Sequence, residues 1–516
     1  MSSPATSLPP KPTETGRSLR PSTRAWSVTA MIVMFATINW ADKALIGVVA
    51  QPLKEELGLT SAQIGFAGSA FFFLFSISGA AVGLIGDRVQ IRWILFALAG
   101  IWGLIQFPLV IAGTFAVLLA TRIALGAAEG PATAMANTAV FQWFPPEKRA
   151  FPSALVTSGS SFAKIAAAPV LTLIVAAWGW HAGFLTMAVV SFVWCGVWLL
   201  VGKEGPYARR AGDADSASAP GDSETPPHQL VRLPLRDILL TKSFIGALIG
   251  TFTVYGLVSA SITWIPSYFE AGLGYSRLSS GFMFGLPSIA SLVMMFASTF
   301  VTDRLADRNF SSRVTRVWTT TAFLVVGGLA LACLPFIGVP VAVVAVLVFG
   351  YGCASVALPM MNAVVSQIAP AHQLSSTLGI FLAVQNLSGL IAPALVGILV
   401  DRAPDPLSGY SLAYQIFGLS ILVGGLVVFL LVHPARDAAR VQAKLTAREA
   451  AAESHTRAPT EPTPALDTHD PRGERPPRPR RATCKENPHC LPSTTSPGPR
   501  CTRPRSTNST SRPGCP

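Results

Sequence analysis

Long apolar runs recur along this chain, each closed by a short polar loop. A helix rises roughly 1.5 Å per residue, so about 20 apolar residues cross the ~30 Å hydrocarbon layer of a bilayer. Twelve such runs can be marked, at 26–50, 61–86, 92–112, 114–141, 152–178, 181–202, 243–269, 279–302, 314–335, 339–361, 374–400 and 410–432. Gly and Pro are frequent inside them, which membrane helices tolerate because neighbouring helices and side chains satisfy the freed backbone groups. The expected fold is an all-α integral membrane protein with twelve transmembrane helices.

The pattern is interrupted over 203–242, where AGDADSASAPGDSETPP can bury too little apolar surface to order itself. This stretch is expected to be a linker between two six-helix halves, 26–202 and 243–433. The halves also resemble each other. The loop after the second span reads Gly83-Leu-Ile-Gly-Asp87-Arg88-Val-Gln-Ile-Arg92, and the loop after the eighth carries Asp303-Arg304-Leu-Ala-Asp-Arg308. Asp-Arg-x-x-x-Arg thus recurs 216 residues on, and Ala-Pro169 in span five is matched by Ala-Pro393 in span eleven. Parallel six-span repeats place a binding site between the halves near the membrane midplane. Residues 1–25 lack a signal-peptide pattern, so the first span is expected to direct its own insertion. Residues 434–516 are rich in Pro, Arg, Ser and Thr and are expected to form a disordered tail.

Composition supports this and narrows it. Of 516 residues 51% are hydrophobic and 13% charged, against roughly 25% charged in soluble domains. The net charge of +13 could suggest nucleic acid, but its placement argues otherwise. With the N-terminus assigned to the cytoplasm, eighteen Lys and Arg fall on that side outside the tail. Only Lys54, Arg277 and Arg402 fall on the other. This is a positive-inside bias, with both termini cytoplasmic. The seven cysteines show no metal or disulfide spacing, no nucleophile–base set or phosphate loop stands out, and neither metal nor cofactor is implied.

Ionisable groups inside spans are costly and so point to function. Asp42 and Lys43 lie in span one, Arg122 and Glu129 in span four, and Lys164 in span five. Counting inward from the span ends puts Asp42, Lys43 and Arg122 roughly 12 Å below one surface. Asp42–Arg122 is therefore an expected ion pair. Glu129, two turns deeper and without a partner on its own helix, is expected to take up and release protons. An alternative pairs it with Lys164. Lys43 and Lys164 are candidates to bind an anion in one cavity, with Asn39, Tyr255, Gln385 and Asn386 as further substrate contacts. Lys164 precedes Pro169 by five residues as Ser388 precedes Pro393, so the two are expected to face each other. Gly83, Asp87, Arg88 and Arg92, with Asp303 and Arg304, fit a latch that is made in one state and broken in the other.

These residues resemble the major facilitator superfamily, over roughly 26–432. Within it, Asn39-Trp-Ala-Asp42-Lys43, Arg122-Ile-Ala-Leu-Gly126-Ala-Ala-Glu129-Gly-Pro131, Trp143-Phe-Pro-Pro-Glu147-Lys148-Arg149 and Thr263-Trp264-Ile-Pro266-Ser-Tyr268 resemble the anion:cation symporter group of sugar-acid, tartrate and phthalate carriers. The resemblance implies proton coupling at Asp42 and Glu129 and substrate carboxylate binding at Lys43. It also implies a carrier of a bacterial inner membrane that moves a small organic anion with protons, has no nucleic acid partner and acts as a monomer. The chain departs from that pattern at Lys43, usually Arg, at Gln90, usually Gly, and at Lys164, usually small or neutral. Exchange of phosphorylated organic anions and anion sensing are the other functions such a chain can serve.

Overall fold

The computed structural model describes residues 23–85, 89–145, 149–207, 233–308, 310–311, 313–370 and 373–456. They belong to one compact unit, Met1–Arg457. Eleven helices among the described residues are long and apolar enough to cross a membrane. One of them, Phe151–Val201, has 51 residues and at roughly 1.5 Å per residue is far too long for a single crossing. It turns back at Gly179, whose φ of 79° and ψ of 171° are open to glycine and strained for other residues. Counted on both sides of Gly179, the crossings number twelve, as the apolar pattern requires.

We number them α1 (Thr23–Leu57), α2 (Ser61–Ile85), α3 (Ile91–Ile111), α4 (Phe115–Phe141), α5 (151–178), α6 (180–201), α7 (Lys242–Gly272), α8 (Arg277–Thr302), α9 (Arg313–Ala332), α10 (Pro340–Ile368), α11 (Ser376–Arg402) and α12 (Pro406–Leu431). Side-chain caps start several of them. Thr114, Thr241 and Asp405 accept from the amides of Val117, Phe244 and Ser408 at 3.3, 3.3 and 2.9 Å, satisfying donors that a helix start leaves open. Outward-facing Phe73, Ile111, Phe296, Leu200 and Val423 are exposed; in a bilayer that surface meets lipid rather than water.

Packing repeats between the halves. In the first, α1 contacts α5 and α6, α2 contacts α4, and α3 contacts α6. In the second, α7 contacts α11 and α12, α8 contacts α10, and α9 contacts α12. The halves meet through α1 with α7, α2 with α11, and α5 with α8. This is the pseudo-symmetric two-half arrangement expected from the repeated motifs.

The interface is closed at the end that bears the α1–α2 turn. Asp401, in the last turn of α11, accepts from the amides of Ser61 and Ala62 at 2.9 and 2.7 Å. A carboxylate at the N-terminus of α2 meets both open donors and the positive end of the helix dipole. The helices approach so closely here that a Cβ on Gly397 would lie 2.2 Å from the Ser61 carbonyl oxygen. Arg277 on α8 links Glu270 on α7 at 2.9 Å and Glu55 on α1 at 3.2 Å. Among the described residues, the hydrogen bond between halves lying furthest toward the linker end is from Ser76 to the Ala383 carbonyl, 3.4 Å.

Two expectations about the polar segments need correction. The chain is helical from Pro434 to Thr456 (α13), where the composition predicts disorder from 434 onward. Pro434, Asp437, Val441 and Leu445 are buried on one side of it, at the three- and four-residue spacing of a helix face. Asp437 accepts from the Ser243 amide at 2.9 Å and hydroxyl at 2.7 Å, pinning α13 to the start of α7. Residues 457–516 lie outside the described residues. The linker is also ordered at its ends. Gln373 brackets Leu233 with bonds to its amide and carbonyl at 3.1 and 2.8 Å, and Leu235–Leu239 form a short helix.

Burial pushes the Asp437 carboxyl up, but the Ser243 bonds outweigh this and hold it below the usual carboxylate range. A lowered folded-state value adds stability above that range and loses it as pH falls through the folded value. Docking of α13 is therefore expected to be constant from about pH 5 to 8 and to loosen only below about pH 4. Asp437→Ala should loosen it at neutral pH, because a buried Ser243 amide left unpaired costs about 1–3 kcal/mol. Protease nicking within 434–456 should then rise several-fold while the membrane helices stay intact; unchanged nicking would mean that Asp437 does not hold the helix.

Candidate functional site

The first half assembles its buried charges around α1. Asp42, Arg122 and Glu129 are at most 2% exposed and Lys43 is 7% exposed. Lys43 ion-pairs with Glu129 through its Nζ and donates to Asn39 Oδ1, one turn back, at 2.6 Å. Its ammonium lies over three rings, 5.1 Å from Trp40, 5.4 Å from Phe71 and 5.3 Å from Phe75. A desolvated cation over aromatic faces gains up to about 2 kcal/mol at each favourable ring. Pair and cage together offset the cost of holding an ammonium at this depth. The α4 helix is interrupted at Gly130–Pro131, directly after Glu129, and Gly126 one turn earlier lets α4 approach the Phe71 carbonyl on α2. These features bring Glu129 within reach of α1.

The expected Asp42–Arg122 ion pair is not formed. Asp42 instead accepts from Gln106 on α3 at 2.8 Å, and its other oxygen is buried without a hydrogen bond. Arg122 packs with its guanidinium 5.8 Å from the Phe184 ring, and its Nε and one terminal nitrogen are likewise unbonded. Equal depth places two groups at one level but leaves open which way around the helix each points. That orientation sends Arg122 toward α6 and Asp42 toward α3. Sequence reasoning misses Gln106, although it is a lone amide in the apolar 21-residue helix α3.

Lys164 does not pair with Glu129. It stands on a single π-helical turn, Ala163–Ala167, within α5, a widened turn that re-aims side chains and recurs at functional sites. Its ammonium lies 5.4 Å from the Trp40 ring and makes no hydrogen bond or ion pair to a described residue. It lines a cavity of about 170 Å³ with Ser160, Ser161, Ser288, Ser291 and Ser355. A neighbouring cavity of about 100 Å³ is lined by Asn39, Trp40, Thr133 and Ser160. Ser160 belongs to both. Lys43 lines neither cavity and is engaged by Glu129, so of the two cations expected to face one open cavity only Lys164 does so.

The remaining candidates scatter. Tyr255 on α7 packs edge-on to Phe72 of α2 with centroids 6.1 Å apart. Gln385 is buried on α11 with its Oε1 unbonded, and Asn386 beside it is half-buried at a break in the helix. Ser388 does not face Lys164: it donates to the Gln385 carbonyl at 2.9 Å and lies beside Gly256 on α7. Gly83 is in the last turns of α2, while Asp87 and Arg88 lie outside the described residues. Arg92 caps the end of α6, donating to the Leu199 carbonyl at 2.8 Å while its amide donates to Glu204 at 3.2 Å. Neither contact reaches the second half. The side chain of Asp303 lies outside the described residues, and Arg304 stacks on Phe300 of its own helix at 4.9 Å.

Comparison with known proteins agrees with this architecture. The family model described as Major Facilitator Superfamily matches residues 31–350 and 305–482. The hexuronate transporter of Bacillus subtilis is 25% identical over 410 residues, covering 78% of this chain and 92% of that protein. The D-galactonate transporter of Escherichia coli is 26% identical over 430 residues, covering 80% and 96%. A probable sulfoacetate transporter of Cupriavidus necator is 27% identical over 424 residues, covering 79% and 93%. Among solved structures, a bacterial homolog of the human lysosomal transporter Spinster, inward-facing and unoccupied, superposes with a TM-score of 0.66 at 16% identity, covering 81% of this chain and 98% of that one. A D-xylose–proton symporter does so with a TM-score of 0.64 at 17% identity, covering 80% and 99%. Family and relatives are transporters, not enzymes. With its two six-helix halves, repeated loop motif and charges buried beside the interface, this chain belongs to the major facilitator superfamily.

Proposed function

We propose that the protein is a proton-coupled symporter of a small organic carboxylate, a sugar acid or an aromatic or dicarboxylic acid, working by alternating access. It resides in a bacterial inner membrane with both termini in the cytoplasm and acts as a monomer. The observation that carries this reading is the Lys43–Glu129 ion pair. A substrate carboxylate and Glu129 compete for one ammonium. While Glu129 is ionised it occupies Lys43; once protonated it releases Lys43 to an incoming anion. Anion and proton are then loaded together, which is the requirement of symport. Asp42, with one oxygen unbonded, supplies a second place for a proton. Relatives named for hexuronate and galactonate support a carboxylate cargo.

The closed end formed by Asp401, Ser61 and Arg277, with the cavities lying toward the linker, fits one state of the cycle, open to the cytoplasm. Uptake by purified protein in proteoliposomes tests the reading. A panel of sugar acids and aromatic acids is offered with and without an imposed pH gradient. Accumulation of at least one acid that requires the gradient is expected. If no carboxylate moves under either condition the reading fails, and if phosphate inside drives exchange without a gradient, an organophosphate exchanger replaces it.

A further inference from the structure

Lys164 has no role in the competition between substrate and Glu129, yet its position is costly. A lysine in the middle of a membrane helix costs about 2.5–3.5 kcal/mol, and this one is offset by no carboxylate among the described residues. Its surroundings are those of a site awaiting an anion. The π-turn aims it into the joint between α5 of one half and α8 and α10 of the other. The wall opposite presents Ser288, buried with its Oγ unbonded, beside Ser291 and Ser355, whose hydroxyls donate to the Pro287 and Gly352 carbonyls at 2.9 and 2.8 Å. No acidic residue lines the cavity among the described residues. An ammonium facing a free hydroxyl suits a carboxylate, whose two oxygens accept several bonds at once.

The second observation is the shared ring. The Lys43 and Lys164 ammonium groups lie 5.1 and 5.4 Å from the centroid of the same Trp40 indole, so they stand no further apart than the sum of those distances, roughly 10.5 Å. We propose that Lys164 and Ser288 bind the second anionic group of a substrate charged at both ends, the first being held by Lys43. This rests on the carboxylate-symport reading and names its substrate class. With a hydrogen bond of about 2.8 Å at each end, no more than about 5 Å is left between the bonding oxygens, the span of an extended dianion of about four carbons or of a longer one that bends. A monoanion of the same length leaves Lys164 unpaired in the membrane interior. Specificity then comes from that unmet charge as much as from the bonds a diacid makes there.

Galactonate and galactarate test this, because they differ only at the far end, where a primary alcohol is replaced by a carboxylate. Initial uptake rates are measured with the full chain in proteoliposomes, for this pair and for matched four- and six-carbon mono- and diacids. The wild type is expected to favour the diacid by at least tenfold in kcat/KM in at least one pair. Lys164→Gln should lower that diacid-to-monoacid ratio by at least tenfold, and Lys164→Arg should keep it within about threefold of wild type. Because the readout is a ratio within one preparation, loss of folded protein does not mimic it. Ser288→Ala offers a milder variant and should lower the ratio in the same direction. A wild type that carries every monoacid as well as its diacid, or a ratio unmoved by Lys164→Gln, overturns the proposal while carboxylate transport stands. Failure of every acid to move overturns both.

Discussion

Lys43→Ala is expected to lower initial uptake by at least a hundredfold and to destabilise the protein as well. Both effects follow from one geometry. The ammonium is the only cation ion-paired to Glu129 among the described residues, and it also bonds Asn39. Removing it leaves the buried Glu129 carboxylate without its partner. Breaking a buried pair from one side costs about 3–5 kcal/mol, because the surviving charge must be held in a medium that does not solvate it or be neutralised by a proton. The functional loss arises separately, since substrate has lost the group it competes for. The double variant Lys43→Ala with Glu129→Gln separates the two. It removes the stranded charge, so its melting temperature in detergent should recover most of the loss, while uptake should remain absent. If Lys43→Ala alone transports at the wild-type rate, the anion is bound elsewhere. Lys43→Arg should retain transport, because the group's usual residue there is arginine, whose planar fork also pairs with a carboxylate.

The twelve crossings are legible in the sequence because hydrocarbon imposes a strict rule: every crossing must be helical and apolar over a fixed length. The half-to-half repeat is legible because one motif occurs twice. Direction around each helix axis is not. Residue counting gives depth, and depth alone makes Asp42 and Arg122 partners; rotation instead gives Asp42 to Gln106 and Lys43 to Glu129. The reach of Lys43 to Glu129 also depends on α4 lying against α2 at Gly126, a packing detail set by three helices at once. Lys164 stands out in the sequence as a charge within a span, but the π-turn that carries it follows from no local pattern. In α13 the error is of another kind. Its apolar residues are few, and the buried row Asp437, Val441, Leu445 is a helical signal that overall polarity conceals.

Glu129→Gln should spare counterflow and abolish accumulation driven by a pH gradient. Counterflow needs only that loaded carriers change orientation on both sides, and the substitution keeps an uncharged amide of nearly the same shape beside Lys43 and Asn39. Accumulation needs more: the empty carrier must hold a different number of protons from the loaded one. With Glu129 replaced, Lys43 no longer exchanges one anionic partner for another, and anion binding is released from its link to a proton. The same logic fixes the direction of the affinity change. A competitor for the ammonium has been removed, so KM for the anion should fall and lose its dependence on pH. Asp42 provides the control. Its bond from Gln106 engages one oxygen, and its other oxygen is buried and unbonded, which makes it the second candidate for the coupling proton. If Glu129→Gln accumulates substrate as the wild type does and Asp42→Asn does not, the coupling proton belongs to Asp42, and the Lys43–Glu129 pair serves binding alone.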